Sequence, residues 1–122
     1  MSAMINRIIR FAETDALNLT KDLYVALETD ARPFAPAPGF TFALADMTRD
    51  APHGGEMHPD GDEIVYVVAG RIQVVLELES VEVLDVGPKE GLVIPRGVWH
   101  RIHVKESATL MTITPGPAFE SR

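Results

Sequence analysis

The sequence predicts an all-β domain, either a sandwich or a small barrel, and three observations lead to this prediction. At least seven short segments have the composition of strands, turn signals rich in glycine and proline separate them at regular intervals, and no segment shows the periodicity of a long helix. Several of the segments alternate apolar and polar positions, as strands with one buried face do. We therefore expect one domain over residues 1–122.

The predicted strands can be followed along the chain in order. Residues 40–47 alternate clearly, residues 63–69 form an apolar β-branched run, and residues 22–29 would also fit a helix. We expect Gly70-Arg71 to be a tight turn into the next strand. The predicted strands are 22–29, 40–47, 63–69, 72–79, 81–86, 91–95, 98–104 and 108–114.

The remaining stretches are predicted to be irregular or weakly defined. Residues 4–11 suit either one helical turn or a short strand, and residues 14–20 read as a polar connection. Residues 31–39 carry three prolines, which lack amide donors and fix φ, so we expect an extended loop there. The C-terminal residues 119–122 are predicted to be frayed.

Composition and charge exclude several classes of partner and site. The chain has 46% hydrophobic and 24% charged residues, which is ordinary for a soluble domain with its own core. Its net charge of −7 argues against nucleic acid or an anionic membrane as a partner. With no cysteine, disulfides, thiolate metal sites and a cysteine nucleophile are excluded. Residues 1–18 lack the apolar stretch of a signal peptide, so we expect a cytoplasmic protein.

A dense group of candidate metal ligands precedes the strand at 63–69. Residues 53–63 contain two histidines and four acidic residues. Because side chains alternate along strands, Glu63 shares a face with Val65 and Val67, and His100 lies on one face of its own strand. If Glu63 and His100 both point inward, a carboxylate and an imidazole meet there. Glu56 and His58 are two residues apart and can face the same way.

The candidate metal site is therefore formed by Glu56, His58, Glu63 and His100. Two imidazoles and one carboxylate form a facial arrangement that leaves coordination positions open, which suits Fe(II) and is compatible with other divalent metals. With Glu56 as a fourth ligand the site is richer in oxygen and should accept Mn or Fe at least as well as Zn.

Each of these residues also has a purely structural alternative. His58 and Glu63 could belong to a charged turn that leads into a strand, and His100 could be a core histidine that donates to a backbone carbonyl. Glu56 could be a metal ligand, a catalytic base on a bound water, or a solvent-facing side chain.

Other polar residues of the same stretches are expected to lie outside the site. His53 is predicted to be a loop residue near the rim. His103 and Trp99 have the opposite parity from His100, so we expect them on the surface or in a packing or subunit contact. Asp60 and Asp62 read as a turn, because they lack the further ligands of an EF-hand calcium loop.

Two segments resemble the motifs of the cupin superfamily. The segment 55–70 is similar to the first cupin motif through His58, Glu63 and Gly70, and the segment 91–100 is similar to the second through its Pro-x-Gly-x-x-His pattern, which ends at His100. The chain departs from these motifs at three positions. Glu56 stands where the first motif has its first histidine, Lys89 where the second has a glycine, and Val104 where it has an asparagine.

The resemblance implies a double-stranded β-helix, or jelly-roll barrel, of the small single-domain RmlC-like type. The motifs would then form a barrel over about residues 40–115, with residues 1–39 packed on it or on a partner subunit, and a homodimer is expected. A divalent metal (Fe, Mn, Zn or Ni) would bind inside the barrel. Because activities in this superfamily include dioxygenases, isomerases, decarboxylases and effector binding, the fold does not determine the function.

Three functional hypotheses follow. The chain could be a metal-dependent enzyme, such as a dioxygenase or isomerase, that acts on a small oxygen-bearing metabolite, with Glu56 as ligand or base. It could be a non-enzymatic cupin that binds a small molecule. It could also be a degenerate, metal-free cupin in which Glu56 marks the loss of the site.

Overall fold

The protein is described by a computed structural model that covers residues 2–3, 8–9, 12, 14–29 and 36–122. Within these residues the chain forms strands and no helix, so no helix that could cross a membrane is found there. The strands are β1 (Ser2–Ala3), β2 (Ala16–Leu19), β3 (Val25–Glu28), β4 (Gly39–Met47), β5 (Glu56–Met57), β6 (Glu63–Glu77), β7 (Val81–Val86), β8 (Gly91–Ile94), β9 (His100–Gly116) and β10 (Glu120–Ser121).

The two longest strands, β6 and β9, pair in antiparallel fashion and organise the sheet. Strand β6 also pairs with β7 and β8, whereas β9 pairs with β4 and, at its first residue, with β5. From β4 the sheet continues through β2 and β3 to β1, and from β5 it continues to β10. The fold is an all-β jelly-roll barrel of antiparallel strands, as predicted.

The core lies on the inner face of β6 and follows its alternation. Val65 and Val67 are buried while Ile64 and Val68 are exposed, so the predicted parity of this strand is confirmed. Beyond Gly70 the alternating buried residues are Ile72, Val74 and Leu76, which is a shift of one residue, and Val75 is buried as well. A β-bulge produces such a shift, and the pairing of β6 with β9 is irregular between Val67 and Ile72.

The prediction of a tight turn at Gly70-Arg71 was wrong, because β6 runs through both residues. Gly70 is needed for the bulge and not for a reversal of the chain. Its φ is +84°, and a Cβ there would lie 2.2 Å from the carbonyl oxygen of Ser107. A bulge and a turn both call for glycine, so the sequence alone favours neither.

Three other predicted boundaries differ from the structure. The two strands expected at 98–104 and 108–114 are one strand, β9. Residues 14–20 include β2 and are not simply a polar connection, and the tail expected to be frayed contains β10, which pairs with β5. Most of residues 4–11, and residues 31–35 of the proline-rich loop, lie outside the described part of the chain.

Candidate metal centre

Three strands bring the four candidate ligands to one end of the barrel. Glu56 begins β5, and His58 follows directly after that strand. Glu63 is the first residue of β6 and His100 the first residue of β9. Because β5 pairs with β9 at Glu56 and His100, residues 44 positions apart in sequence become neighbours across two strands.

The four side chains form a chain of close contacts. The Oε1 atom of Glu63 lies 3.2 Å from Nε2 of His100 and 3.5 Å from Nε2 of His58. Oε2 of Glu56 lies 3.7 Å from Nε2 of His58. Glu56, His58 and His100 can each offer a donor atom within 4.8 Å of the other two, which is the spacing expected of ligands around a single ion.

Three of the four side chains are buried and the fourth is partly exposed. His58, Glu63 and His100 are between 3% and 6% exposed, whereas the side chain of Glu56 is 34% exposed. All four line a cavity of about 560 Å³ inside the barrel. Glu63 and His100 thus both point inward, which is the condition on which the predicted meeting of carboxylate and imidazole depended.

The buried Glu63 carboxylate is held in its ionised form. Burial acts to raise its pKa, but the hydrogen bond from His100 and the nearby imidazole of His58 outweigh this effect and lower the pKa to about 2, with a further contribution from Thr114. The Thr114 hydroxyl donates to Oε2 of Glu63 over 2.7 Å. Oε1 therefore faces the two imidazoles as a negatively charged oxygen.

The two buried histidines differ in how their ring nitrogens are satisfied. Nδ1 of His100 donates to the carbonyl oxygen of Val98 over 3.2 Å, which orients the ring with Nε2 toward Glu63. Burial acts to lower the pKa of His100, but the hydrogen bond and charge of Glu63 prevail and raise it. Neither ring nitrogen of His58 has a hydrogen-bond partner among the described residues.

These features fit a divalent metal. A buried imidazole without hydrogen bonds is costly unless another group satisfies it, and a metal ion at Nε2 of His58 would do so. A histidine ligand commonly donates its other ring nitrogen to a backbone carbonyl, as His100 does to Val98. The donor set of imidazole nitrogens and carboxylate oxygens is suited to Fe, Mn, Zn or Ni and does not select among them.

Of the residues predicted to lie outside the site, two stabilise loops. Oδ2 of Asp60 accepts the amide of Ala118 over 2.7 Å, and Oδ1 of Asp62 accepts the amide of Arg96 over 2.9 Å. Trp99 is half-buried, with the Arg122 guanidinium 4.3 Å from its ring centroid.

The outward histidine of β9, His103, lies on the surface as its parity predicts. It is partly exposed and pairs with Asp50, whose Oδ2 atom lies 2.8 Å from Nδ1 of the ring. The two histidines of β9 are therefore separated by the pleat of the strand.

His53 has a contact that the sequence did not reveal. It was predicted to be a rim residue, and its side chain is indeed 34% exposed. However, its Nε2 lies 3.0 Å from Oε1 of Glu56, so it touches the candidate site directly. The spacing of three residues between His53 and Glu56 was visible in the sequence, but the path of the intervening glycines was not.

Comparison with known proteins identifies the family of the chain. The profile of the cupin domain family matches residues 47–114, which is more than half of the chain and includes all four candidate ligands. A search of curated proteins finds no match.

Several solved structures are similar to the chain. A cupin-2 domain containing protein from Shewanella frigidimarina is 27% identical, with 67% of this chain and 76% of that chain covered and a TM-score of 0.53. A recombinant oxalate oxidase in complex with glycolate is 23% identical, with 67% and 45% covered and a TM-score of 0.54. An oxalate decarboxylase from Bacillus subtilis is 16% identical, with 67% and 23% covered and a TM-score of 0.59. The last two, at these identities, show a shared fold.

Proposed function

Because the chain belongs to the cupin family, we propose that it binds a divalent metal inside the barrel and uses it to bind or transform a small oxygen-bearing metabolite. The ligands would be His58, Glu63 and His100, with Glu56 as a fourth ligand or as a base. The observation that carries the proposal is that four donor side chains in contact with one another line a single cavity, where His58 has no hydrogen-bond partner among the described residues.

The metal would act as a Lewis acid toward an oxygen of the substrate or as a redox centre. The protein would supply the remaining contributions. Three buried ligands would fix the position of the ion, while Glu56, on the open side, would face the approaching molecule. A carboxylate in that position can accept a proton from a bound molecule or bind the metal, and both roles are part of the proposal.

The cavity walls indicate what kind of molecule would fit. Away from the four candidate ligands the lining is mostly apolar, and its polar groups include the hydroxyls of Thr112 and Thr114. None of the described residues that line it is lysine or arginine. A molecule with one oxygen group for the metal and a neutral, partly apolar body suits such walls better than a dianion, whose second charge would have no cationic side chain.

The decisive experiment is elemental analysis of protein purified without an affinity tag. A site with its ligands in place normally retains metal, so less than about a tenth of an equivalent of any transition metal would overturn the proposal. Titration of chelator-treated protein with Fe(II), Mn(II), Zn(II) and Ni(II) would then identify the preferred ion. Oxygen consumption by the Fe(II) form in the presence of candidate metabolites would test the dioxygenase alternative against the isomerase one.

A second candidate is a cupin that binds a small molecule without catalysis, or that has lost its metal. The observation in its favour is Glu56, which stands where the family motif has a histidine and is the most exposed of the four. Full thermal stability after chelation, together with purification free of metal, would favour this candidate.

We also propose that the chain is a cytoplasmic homodimer. Support for self-association comes from the exposed apolar side chains of Val81 and Val83 on β7 and Val93 on β8, which are between 54% and 63% exposed. Analytical ultracentrifugation measures the oligomeric state of the wild-type chain and of Val83→Asp. A charge in a subunit contact would favour the monomer.

A further inference from the structure

His53 is outside the ligand group but forms a defined contact with it. Glu56, His58 and His100 each offer a donor atom within 4.8 Å of the other two, and His53 is not part of that group. Its ring nevertheless lines both the barrel cavity and an adjoining cavity of about 390 Å³, as Glu56 does. His53 and Glu56 therefore stand together where the two cavities meet.

The hydrogen bonds of His53 determine which nitrogen carries the proton. The amide of Gly55 donates to Nδ1 over 3.2 Å, so Nδ1 must present a lone pair. The proton of the neutral ring is then on Nε2, which lies 3.0 Å from Oε1 of Glu56. The ring accepts from the backbone on one side and donates to the carboxylate on the other.

This contact divides the two oxygens of Glu56 between different partners. Oε1 accepts from His53, whereas Oε2 lies on the side of His58, 3.7 Å from its Nε2. A half-exposed glutamate has several rotamers of similar energy, and a fixed donor at one oxygen selects among them. The other oxygen is then directed at the metal site.

The backbone around His53 is anchored in a way that supports this role. The amide of Gly54 donates to the carbonyl of Arg122, and the amide of Arg122 donates to the carbonyl of Gly55 over 3.0 Å. Gly55 has a φ of +145°, and a Cβ there would lie 3.2 Å from the carbonyl oxygen of His100. The loop thus passes close to β9 and is tied to the C-terminal strand, which holds His53 beside Glu56.

We infer that His53 is a positioning residue for Glu56: its Nε2–H holds Oε1, so that Oε2 is presented to the metal or to the molecule bound there. The inference rests on the proposed function as far as the metal is concerned. His53 would itself bind no metal and touch no reacting atom.

The first test is a double-mutant cycle on Mn(II) affinity, measured by electron paramagnetic resonance of chelator-treated protein. His53→Ala should weaken Mn(II) binding about 10-fold or more, in the range known for outer-shell partners of ligands. In a Glu56→Ala background the same substitution should change the affinity less than about 2-fold, because the residue through which it acts is gone. His53→Gln, which keeps a donor and an acceptor, should restore part of the loss.

His103→Ala is the matched control. That histidine is exposed to the same degree and also pairs with a carboxylate, yet its partner is Asp50, so Mn(II) affinity should not change. Unchanged affinity in His53→Ala would overturn the inference. Equal losses from His53→Ala with and without Glu56 would also overturn it, because His53 would then act independently of the glutamate.

The second test needs no metal and separates this inference from the proposed function. Long-range ¹H–¹⁵N NMR spectra of the metal-free protein should show His53 in the Nε2–H form, and the resonance should move in Glu56→Gln. If Mn(II) fails to bind but this tautomer is found, the proposed function is wrong and the hydrogen bond stands. If Mn(II) binds but the proton is on Nδ1, the inference about His53 is wrong and the proposed function stands.

Discussion

Strand β9 carries two histidine–carboxylate pairs, and they differ in surroundings more than in distance. Inside the barrel, Nε2 of His100 lies 3.2 Å from Glu63, and both side chains are less than 10% exposed. Outside, Nδ1 of His103 lies only 2.8 Å from Asp50, but these side chains are 35% and 49% exposed. The shorter contact is therefore the one that water and salt can weaken.

The neighbours of the two carboxylates explain their different roles. Glu63 is surrounded by His58, His100 and the Thr114 hydroxyl, which together keep it ionised in a place where water is scarce. Asp50 accepts hydrogen bonds from the His103 ring and from the Val104 amide. Both contacts hold the loop that carries Asp50 against the outer face of β9. The inner pair can be shared with a metal, whereas the outer pair closes a surface loop.

The largest effect that we predict concerns metal affinity. His100→Ala and His58→Ala each remove a proposed ligand, so the affinity for Mn(II) should fall by more than about 100-fold, beyond the range of outer-shell changes. His103→Ala should leave it unchanged. Isothermal titration calorimetry on chelator-treated proteins measures all three, and equal losses in all three variants would refute the distinction between the two faces of β9.

The next effect concerns the pH dependence of stability in the metal-free protein. Because the pKa of Glu63 is lowered to about 2, its interactions stabilise the fold above the ordinary glutamate pKa of 4.5 and are lost as the pH falls toward 2. The raised pKa of His100 has the opposite sign: its contribution is complete below 6.5 and is lost as the pH rises through the raised value. The Glu63–His100 pair therefore stabilises the fold most between about pH 4.5 and about pH 6.5.

Urea unfolding of wild type and Glu63→Gln at two pH values tests this prediction. From about pH 6 to about pH 3, the difference in unfolding free energy between them should shrink by the order of 2 kcal/mol. Asp50→Asn serves as the comparison, since its carboxyl also has a lowered pKa but lies on the surface. If the difference in unfolding free energy from wild type changed equally with pH in both variants, burial would not distinguish the Glu63–His100 pair from the Asp50–His103 pair.

A smaller effect is expected from two threonines of β9 that donate to carboxylates on opposite sides of the sheet. Thr114 donates to the buried Glu63 over 2.7 Å, and Thr109 donates to the exposed Asp46 over 2.8 Å. Replacement by valine keeps the shape of the side chain and removes the donor. Thr114→Val should lower the unfolding free energy by about 1–3 kcal/mol, and Thr109→Val by less than about 1 kcal/mol. Similar losses in urea unfolding would contradict the importance of burial here.

The sequence alone places His100 and His103 on opposite faces of β9, because the alternation of side chains along a strand is a local property. Strand position put Glu63 on the face of Val65 and Val67 and His100 on the face opposite to His103, and the structure shows that both are buried. The two cupin motifs identified the fold. Gly70 marked an irregularity, although glycine does not reveal whether a strand turns or bulges. The pairing of β9 along its whole length depends on partners far away in sequence, which local patterns do not encode.

The position of His53 is the clearest example of what the sequence could not give. Its distance from Glu56 depends on the unusual φ of Gly55 and on backbone hydrogen bonds to Arg122, at the other end of the chain. The predicted fraying of that tail would have removed the anchor. Contacts made by loops and termini depend on the assembled barrel. For this reason the contact of His53 with Glu56 was harder to predict than the strand positions of Glu63 and His100.

The smallest effect that we predict belongs to the outer pair and concerns salt. Asp50→Asn keeps an oxygen that can accept the Val104 amide and removes only the charge that attracts His103. The difference in melting temperature between wild type and this variant should be small and should shrink as NaCl rises from about 0.05 to about 1 M, because salt screens exposed charges. The difference for Glu63→Gln should persist over the same range, since its partners are buried. If salt reduced both differences alike, the inner pair would have to be accessible to solvent, and the contrast between the buried and the exposed pair would be wrong.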